Sequence, residues 1–146
     1  MDIHELNAKL ESVKTKLIST DKTADARIYL TCESENSYDL CKFLYEDLGC
    51  RFAIATVIDS DNYFEILYHF AYDQLGCVIT IKSLIRDKEK PSVESIAPLF
   101  AAAQWIEREM HDVAGIEFKN HPDMRRLILA DDWPEGVYPL RKENKK

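Results

Sequence analysis

Apolar residues open the chain with helical spacing. Ile3, Leu6, Leu10, Val13 and Leu17 fall at steps of three and four, which predicts an amphipathic helix over residues 3–18. Ser19, Thr20 and Asp21 are expected to end it. The period then drops to two. Ala26, Ile28, Leu30 and Cys32 alternate with Arg27, Tyr29 and Thr31, as in a strand with one buried face. Ser34 or Asn36 can cap a second helix whose inner face is Leu40, Cys41, Leu44 and Leu48. Gly49 stands where a left-handed helix end is wanted.

Three strand-like runs follow, over residues 52–58, 63–72 and 77–85. The polar stretches 59–62 and 73–76 between them read as turns, so the runs predict an antiparallel meander. After a charged turn at 86–90 and Pro91, Ser95 and Pro98 offer a helix start. Residues 99–114 predict that helix, with Gly115 as its stop and Leu99, Ala102, Ile106 and Val113 facing the sheet. Ala101 to Ala103 are small enough for close packing. The order α, β, α, β, β, β, α predicts an α+β domain over residues 1–115. It has two layers, a mixed and mostly antiparallel sheet with helices on one face.

Residues 116–146 are expected to form a long irregular C-terminal tail. Ile116 to Phe118 can extend, but the His-Pro, Trp-Pro and Tyr-Pro steps discourage helix. Phe118, Leu127, Ile128, Leu129, Trp133, Val137, Tyr138 and Leu140 are too many apolar residues for a solvated segment. The tail is therefore expected to dock on its own domain, on a partner, or on both.

Composition narrows the field. The chain has 146 residues, enough for one domain with a real core. Its net charge of -7 argues against nucleic-acid binding, which needs a surplus of Lys and Arg. Residues 1–103 carry 11 Lys/Arg against 17 Asp/Glu, and residues 104–146 carry 8 against 9. The second part is thus nearly neutral but dense in both signs, which suits specific ion pairs. No stretch approaches the roughly 20 apolar residues of a spanning helix. The acidic N-terminus does not read as a secretory signal. The expected location is cytoplasmic, with any membrane link made through partners. Cys32, Cys41, Cys50 and Cys77 include no CxxC pair, so buried or half-buried free thiols in a reducing compartment are expected.

Candidate chemistry concentrates after Trp105. Glu107, Arg108, Glu109 and Asp112 crowd less than two helical turns, and Arg108 and Asp112 have the i, i+4 spacing of an ion pair. One reading is a solvated charged face, where such pairs contribute little. The other is a helix end locked to the tail through Arg–carboxylate bonds, with Arg125, Arg126 and Arg141 as planar donors. His121, Pro122 and Asp123 could suggest a base or a metal ligand. No second His or Cys lies at a ligand spacing, however, since His111 is ten residues away across a helix stop. A structural role is expected for His121. His69 is expected at or near the surface and His4 in solvent. Trp133, with Tyr138 and Leu140 nearby, suits a contact with another chain. A free-standing enzyme built on His121, Asp123 and Arg125 has no nucleophile–base pair or phosphate loop to support it.

The segment from Glu107 to Glu143 carries the most specific pattern. Glu107, Arg108, Glu109, Asp112, Gly115, Ile116, Phe118, His121, Pro122, Asp123, Arg125 and Arg126 resemble the signature of the respiratory complex I 30 kDa subunit family. Asp132, Trp133, Pro139, Leu140, Arg141 and Lys142 continue it. Two positions depart from the respiratory pattern, His111 where Tyr is usual and Ala114 where an aromatic is usual. These, with the Pro-Glu-Gly-Val-Tyr-Pro stretch, look more like the energy-converting, membrane-bound [NiFe] hydrogenase branch and its formate hydrogenlyase relatives.

The resemblance implies a peripheral-arm subunit without catalytic residues, metal or cofactor of its own. It would pack against the hydrogenase large subunit, or the 49 kDa-type homologue of a complex I, and beside other iron–sulfur subunits. The partners would carry the [NiFe] and [4Fe-4S] centres. In the hydrogenase branch the complex couples ferredoxin-linked hydrogen production to ion translocation, and in the alternative it is an NADH:quinone oxidoreductase. The membrane is reached only through the complex, at the inner face. The partner-interface residues implied are Arg108, Glu109, Asp112, His121, Arg125, Arg126, Asp132, Trp133, Tyr138 and Arg141. An interaction module unrelated to redox survives only if this pattern is a coincidence.

Overall fold

The computed structural model describes residues 2–24 and 26–144. Helix α1 (Ile3–Glu11) starts at a capping box. Asp2 accepts from the N–H groups of His4 and Glu5, and the Glu5 carboxylate accepts from the Asp2 N–H. The helix buries Leu6 and Leu10. It ends well short of residue 18, because Lys14–Lys16 tighten into a 3-10 turn. The chain then enters strand β1 (Ser19–Ala24), where the sequence predicts only a break. Ser19 to Thr23 are all exposed, so β1 has no alternating face to betray it. Its charged and hydroxyl side chains suit an edge strand, which must not recruit other chains.

Strand β2 (Arg27–Glu33) alternates as expected, with Ile28, Leu30 and Cys32 buried. A 3-10 turn precedes helix α2 (Ser37–Lys42), which then widens at residues 43–47 so that the Leu48 N–H reaches the Phe43 carbonyl. Leu40, Cys41, Leu44 and Leu48 all point inward. Strands β3 (Arg51–Asp59), β4 (Phe64–Tyr72) and β5 (Cys77–Ile85) form the antiparallel meander. The sheet order is β1-β2-β5-β4-β3, and β2 lies parallel to β5 while the other neighbours are antiparallel. The fold is thus α+β with a five-stranded, mostly antiparallel sheet. On β4, Phe64, Ile66, Tyr68, Phe70 and Tyr72 are buried and the residues between them half-buried, which marks the core face.

Beyond β5 the structure differs from the sequence reading. Ser95 does not open a helix. Residues Ser92–Glu94 form β6, which pairs in parallel with β7 (Glu117–Lys119). Helix α3 runs from Ala103 to Ala114, four residues later than expected. Phe100 is anchored ahead of it against the rings of Tyr45, Phe52 and Phe70. Of the expected inward stripe, Leu99, Ile106 and Val113 are half-buried and Ala102 is exposed. The buried residues of α3 are Ala103, Glu107, Arg108, Met110, Asp112 and Ala114. Three of those six carry charge, so the helix turns its charged cluster toward the protein.

Candidate functional site

The charged face of α3 holds a strap, residues 120–142, that has almost no regular structure of its own. Arg108 donates through Nε to the carbonyl of Arg125 (2.7 Å) and through Nη2 to that of Arg126 (2.8 Å). One oxygen of Asp112 accepts three consecutive backbone N–H groups, from Leu127 (2.9 Å), Ile128 (2.8 Å) and Leu129 (3.2 Å). Burial alone would push the Asp112 carboxyl up, but those N–H groups outweigh it and hold it below the ordinary carboxylate range. Arg108 and Asp112 make no ion pair with each other. The expected Arg–carboxylate lock is instead an arginine on carbonyls and a carboxylate on N–H groups. An irregular segment has free backbone groups, and side chains of α3 satisfy them.

Further along, Leu140 donates its N–H to the Val113 carbonyl (2.9 Å). Arg141 donates Nε to the Ala114 carbonyl (2.8 Å) and lies over the rings of Tyr138 and Phe64. Gly115 makes this approach possible. Its φ is 73°, and a Cβ there would come within 2.5 Å of the Tyr138 ring and 2.6 Å of Arg141 Nη2. Lys142 closes the strap by donating its N–H to Asp59 (2.9 Å) and its Nζ to Asp61 (2.5 Å).

A second buried cluster ties α3 to its approach segment. Glu107 is fully buried and accepts from Ser95 Oγ (2.6 Å) and the Ile96 N–H (2.7 Å). Burial pushes its carboxyl up to about 7, against the lowering effect of those two donors. His121 Nε2 lies 3.8 Å from the same carboxyl. It donates to the Gln104 carbonyl (3.1 Å), while Nδ1 accepts from the Asp123 N–H (3.0 Å). Both ring nitrogens are therefore occupied and the side chain is 1% exposed, which rules out a surface base.

The remaining site residues spread over the outside. Glu109 and Asp132 are exposed. Arg125 pairs with Asp123 at 2.6 Å, with 80% of its side chain exposed. Arg126 donates Nη1 to the carbonyls of Ala130 and Asp131. Trp133 is half-buried, and its indole N–H caps the Val137 carbonyl (2.8 Å). Arg126, Trp133 and Tyr138 share a cleft with His111 and Asp112. The sequence reading passed over Trp105, which is 59% exposed and stacked by Arg108. Its only signal is an aromatic at an outward position of the charged helix. Among the described residues no group of three or more His, Cys, Asp or Glu could hold a metal ion, and no helix is long and apolar enough to cross a membrane.

Fold and strap together define a small α+β domain that fixes an irregular C-terminal segment in one shape. Residues 30–146 match the family described as respiratory-chain NADH dehydrogenase, 30 Kd subunit. The C subunit of the NADH-quinone oxidoreductase of Rhodopseudomonas palustris is 32% identical over 148 residues, covering 97% of this chain and 72% of that protein. The C/D subunit of the NADH-quinone oxidoreductase of Bacteroides thetaiotaomicron is 40% identical over 79 residues, covering 54% of this chain and 14% of that protein. Among solved structures, a chain of the membrane-bound sulfane sulfur reductase, an archaeal respiratory membrane complex, has the same fold. Its TM-score is 0.77 at 22% identity, covering 95% of this chain and 85% of that one. The chain belongs to the 30 kDa subunit family of the respiratory NADH dehydrogenase. The family's members are accessory subunits of multi-subunit oxidoreductases and do no catalysis by themselves.

Proposed function

We propose that the chain is a cofactor-free docking subunit of a membrane-associated oxidoreductase of the NADH-quinone oxidoreductase type, and that its strap seats against the large subunit of that complex. The observation that carries this is the contrast between the two sides of the strap. Its inner side is held by buried or half-buried charges of α3. Its outer side leaves Leu127, Ile128, Val137 and Leu140 exposed, Ile128 by 57% and Leu140 by 56%. Apolar side chains fixed in water by dedicated hydrogen bonds mark a preorganised contact surface. Arg108, Asp112, His121 and Arg141 then act by shaping the strap. Arg125, Trp133 and Tyr138 act at its surface. A relative with the double designation C/D supports close association of this family with a second subunit.

Within that reading, we favour a complex of the energy-converting [NiFe] hydrogenase branch, which places the chain at the inner face of the membrane beside a nickel-bearing large subunit. Ala114 supports this. It is buried, and its carbonyl receives an Arg141 that is stacked between two rings. The aromatic usual in the respiratory branch would have to be fitted into a position that is buried here around an alanine.

The test is affinity purification of the tagged chain from its own cells. The expected result is co-purification of a large subunit, lost with Ile128→Asp and with Trp133→Ala. Normal recovery with both variants places the contact elsewhere. Nickel in the purified complex supports the hydrogenase branch, and quinone reduction without nickel supports the alternative.

A further inference from the structure

We propose that the cleft between the end of α3 and the strap is a receptor for one carboxylate side chain of the partner subunit, with Arg126 as its ligand. This rests on the docking role above and names what enters the docked surface.

The cleft has a volume of about 380 Å3, near the lower end of the range for ligand pockets. Arg126 lines it and is half-buried. Two carbonyls hold its Nη1, so the guanidinium is fixed. Its other corner is different. Nε and Nη2 have no hydrogen-bond partner among the described residues. That edge is the fork that takes a carboxylate in two parallel bonds. The other arginines of the motif have already used it. Arg108 places Nε and Nη2 on two carbonyls, Arg125 places them on Asp123, and Arg141 places Nε on Ala114. A half-desolvated guanidinium with an open fork calls for an anion.

The walls say what kind. Trp133 and Tyr138 both line the mostly polar cleft, and their rings offer the aliphatic stem of a Glu or Asp an apolar contact. The Trp133 indole is held by Val137, and Tyr138 is stacked by Arg141. Both rings are therefore in place before anything binds. His111 also lines the cleft, but its Nδ1 donates to the Ile116 carbonyl (2.8 Å), which leaves Nε2 as an acceptor, so the carboxylate is held by the Arg126 fork. Two carboxylates also line the cleft, and neither satisfies the fork. Asp112 is committed to three N–H groups, and Glu135 is exposed. The cleft includes Val137, one of the exposed apolar residues of the strap, so its mouth is continuous with the docking surface.

The test is made on the assembled complex. A photo-crosslinking amino acid is placed at Glu135 and, separately, at Ile128 on the outer side of the strap. Labelled peptides of the large subunit are then identified by mass spectrometry. The Glu135 probe should label a segment that contains an Asp or Glu. Replacing that residue by Ala should weaken retention of the large subunit roughly tenfold, as Arg126→Gln should, with no further loss in the double variant. If Arg126→Gln does not fold by circular dichroism, the partner's Ala variant carries the test alone. Labelling from Ile128 but not Glu135, a labelled segment without an acidic residue, or an Ala variant retained like wild type would overturn the inference and leave the docking role standing. Failure of the unmodified chain to recover any large subunit overturns the docking role itself.

Discussion

Glu107 lies in the interior with two hydrogen-bond donors on it and the His121 ring beside it. Its carboxyl titrates at about 7 in the folded chain against an ordinary 4.5, because burial disfavours the charge. The stability this group contributes is therefore complete below about pH 4.5 and is lost as the pH climbs to about 7. Several other carboxyls move the opposite way. Asp112, Asp59 and Glu33 are held below their ordinary values, so their contribution is lost as the pH falls. Comparison with Glu107→Gln separates the two, since Gln can still accept from the Ile96 N–H, can donate its amide to Ser95 Oγ, and cannot ionise. Urea unfolding from pH 4.5 to 8 should show the wild type losing on the order of 3 kcal/mol relative to the variant as the pH rises. A difference that stays constant across that range would mean that Glu107 is ionised throughout and compensated by something else.

At the scale of elements, α3 and the strap behave as clamp and clamped. The strap's backbone has few partners of its own, so its order depends on a handful of side chains. Asp112→Ala would leave the N–H groups of Leu127, Ile128 and Leu129 without their acceptor. A cost of about 2–4 kcal/mol is expected, confined to the strap. Trypsin should then cut after Arg125 and Arg126 much faster than in the wild type, while the far-ultraviolet circular dichroism of the sheet is unchanged. Equal cutting rates would show that the strap does not depend on Asp112. The sequence made the meander and β2 legible because their faces alternate, and it made the end of α3 legible through Gly115. The inner face of α3 was legible only in part. Apolar spacing alone sends Glu107, Arg108 and Asp112 to solvent. The reading in which the helix end locks to the tail named Arg–carboxylate bonds where the structure has backbone partners for Arg108 and Asp112. Apart from the Ser95 hydroxyl on Glu107, what the three bind is backbone, and backbone leaves no mark in a sequence. Strand β1 was missed because its residues are all polar and exposed. The ten site residues were recognisable as a group through their resemblance to a family signature. Their division into residues that hold the strap and residues on its surface needed three dimensions.

The whole molecule has one core, and all four cysteines lie in it. Cys32 and Cys41 are fully buried and Cys50 and Cys77 almost so, and they belong to one continuous cluster with the sheet, α1 and α2. Burial pushes the thiols of Cys32 and Cys50 up to about 12 and raises those of Cys41 and Cys77 as well. The reactive thiolate is thus suppressed twice, by access and by ionisation. The strap contributes little to this cluster, so the domain can lose the strap's order and keep its core. A thiol reagent tests that separation. In native buffer at pH 7 none of the four cysteines should react on the time scale on which free cysteine does, and Asp112→Ala should be as well protected as the wild type. In rising urea all four should become reactive together, at the midpoint of the global unfolding transition, because no thiol can be reached without opening the same core. Reaction of Cys50 or Cys77 ahead of the others would divide the core into parts that open separately. Reaction of any thiol on loosening the strap alone would mean that the strap helps to close the domain and is not only a surface that the domain presents.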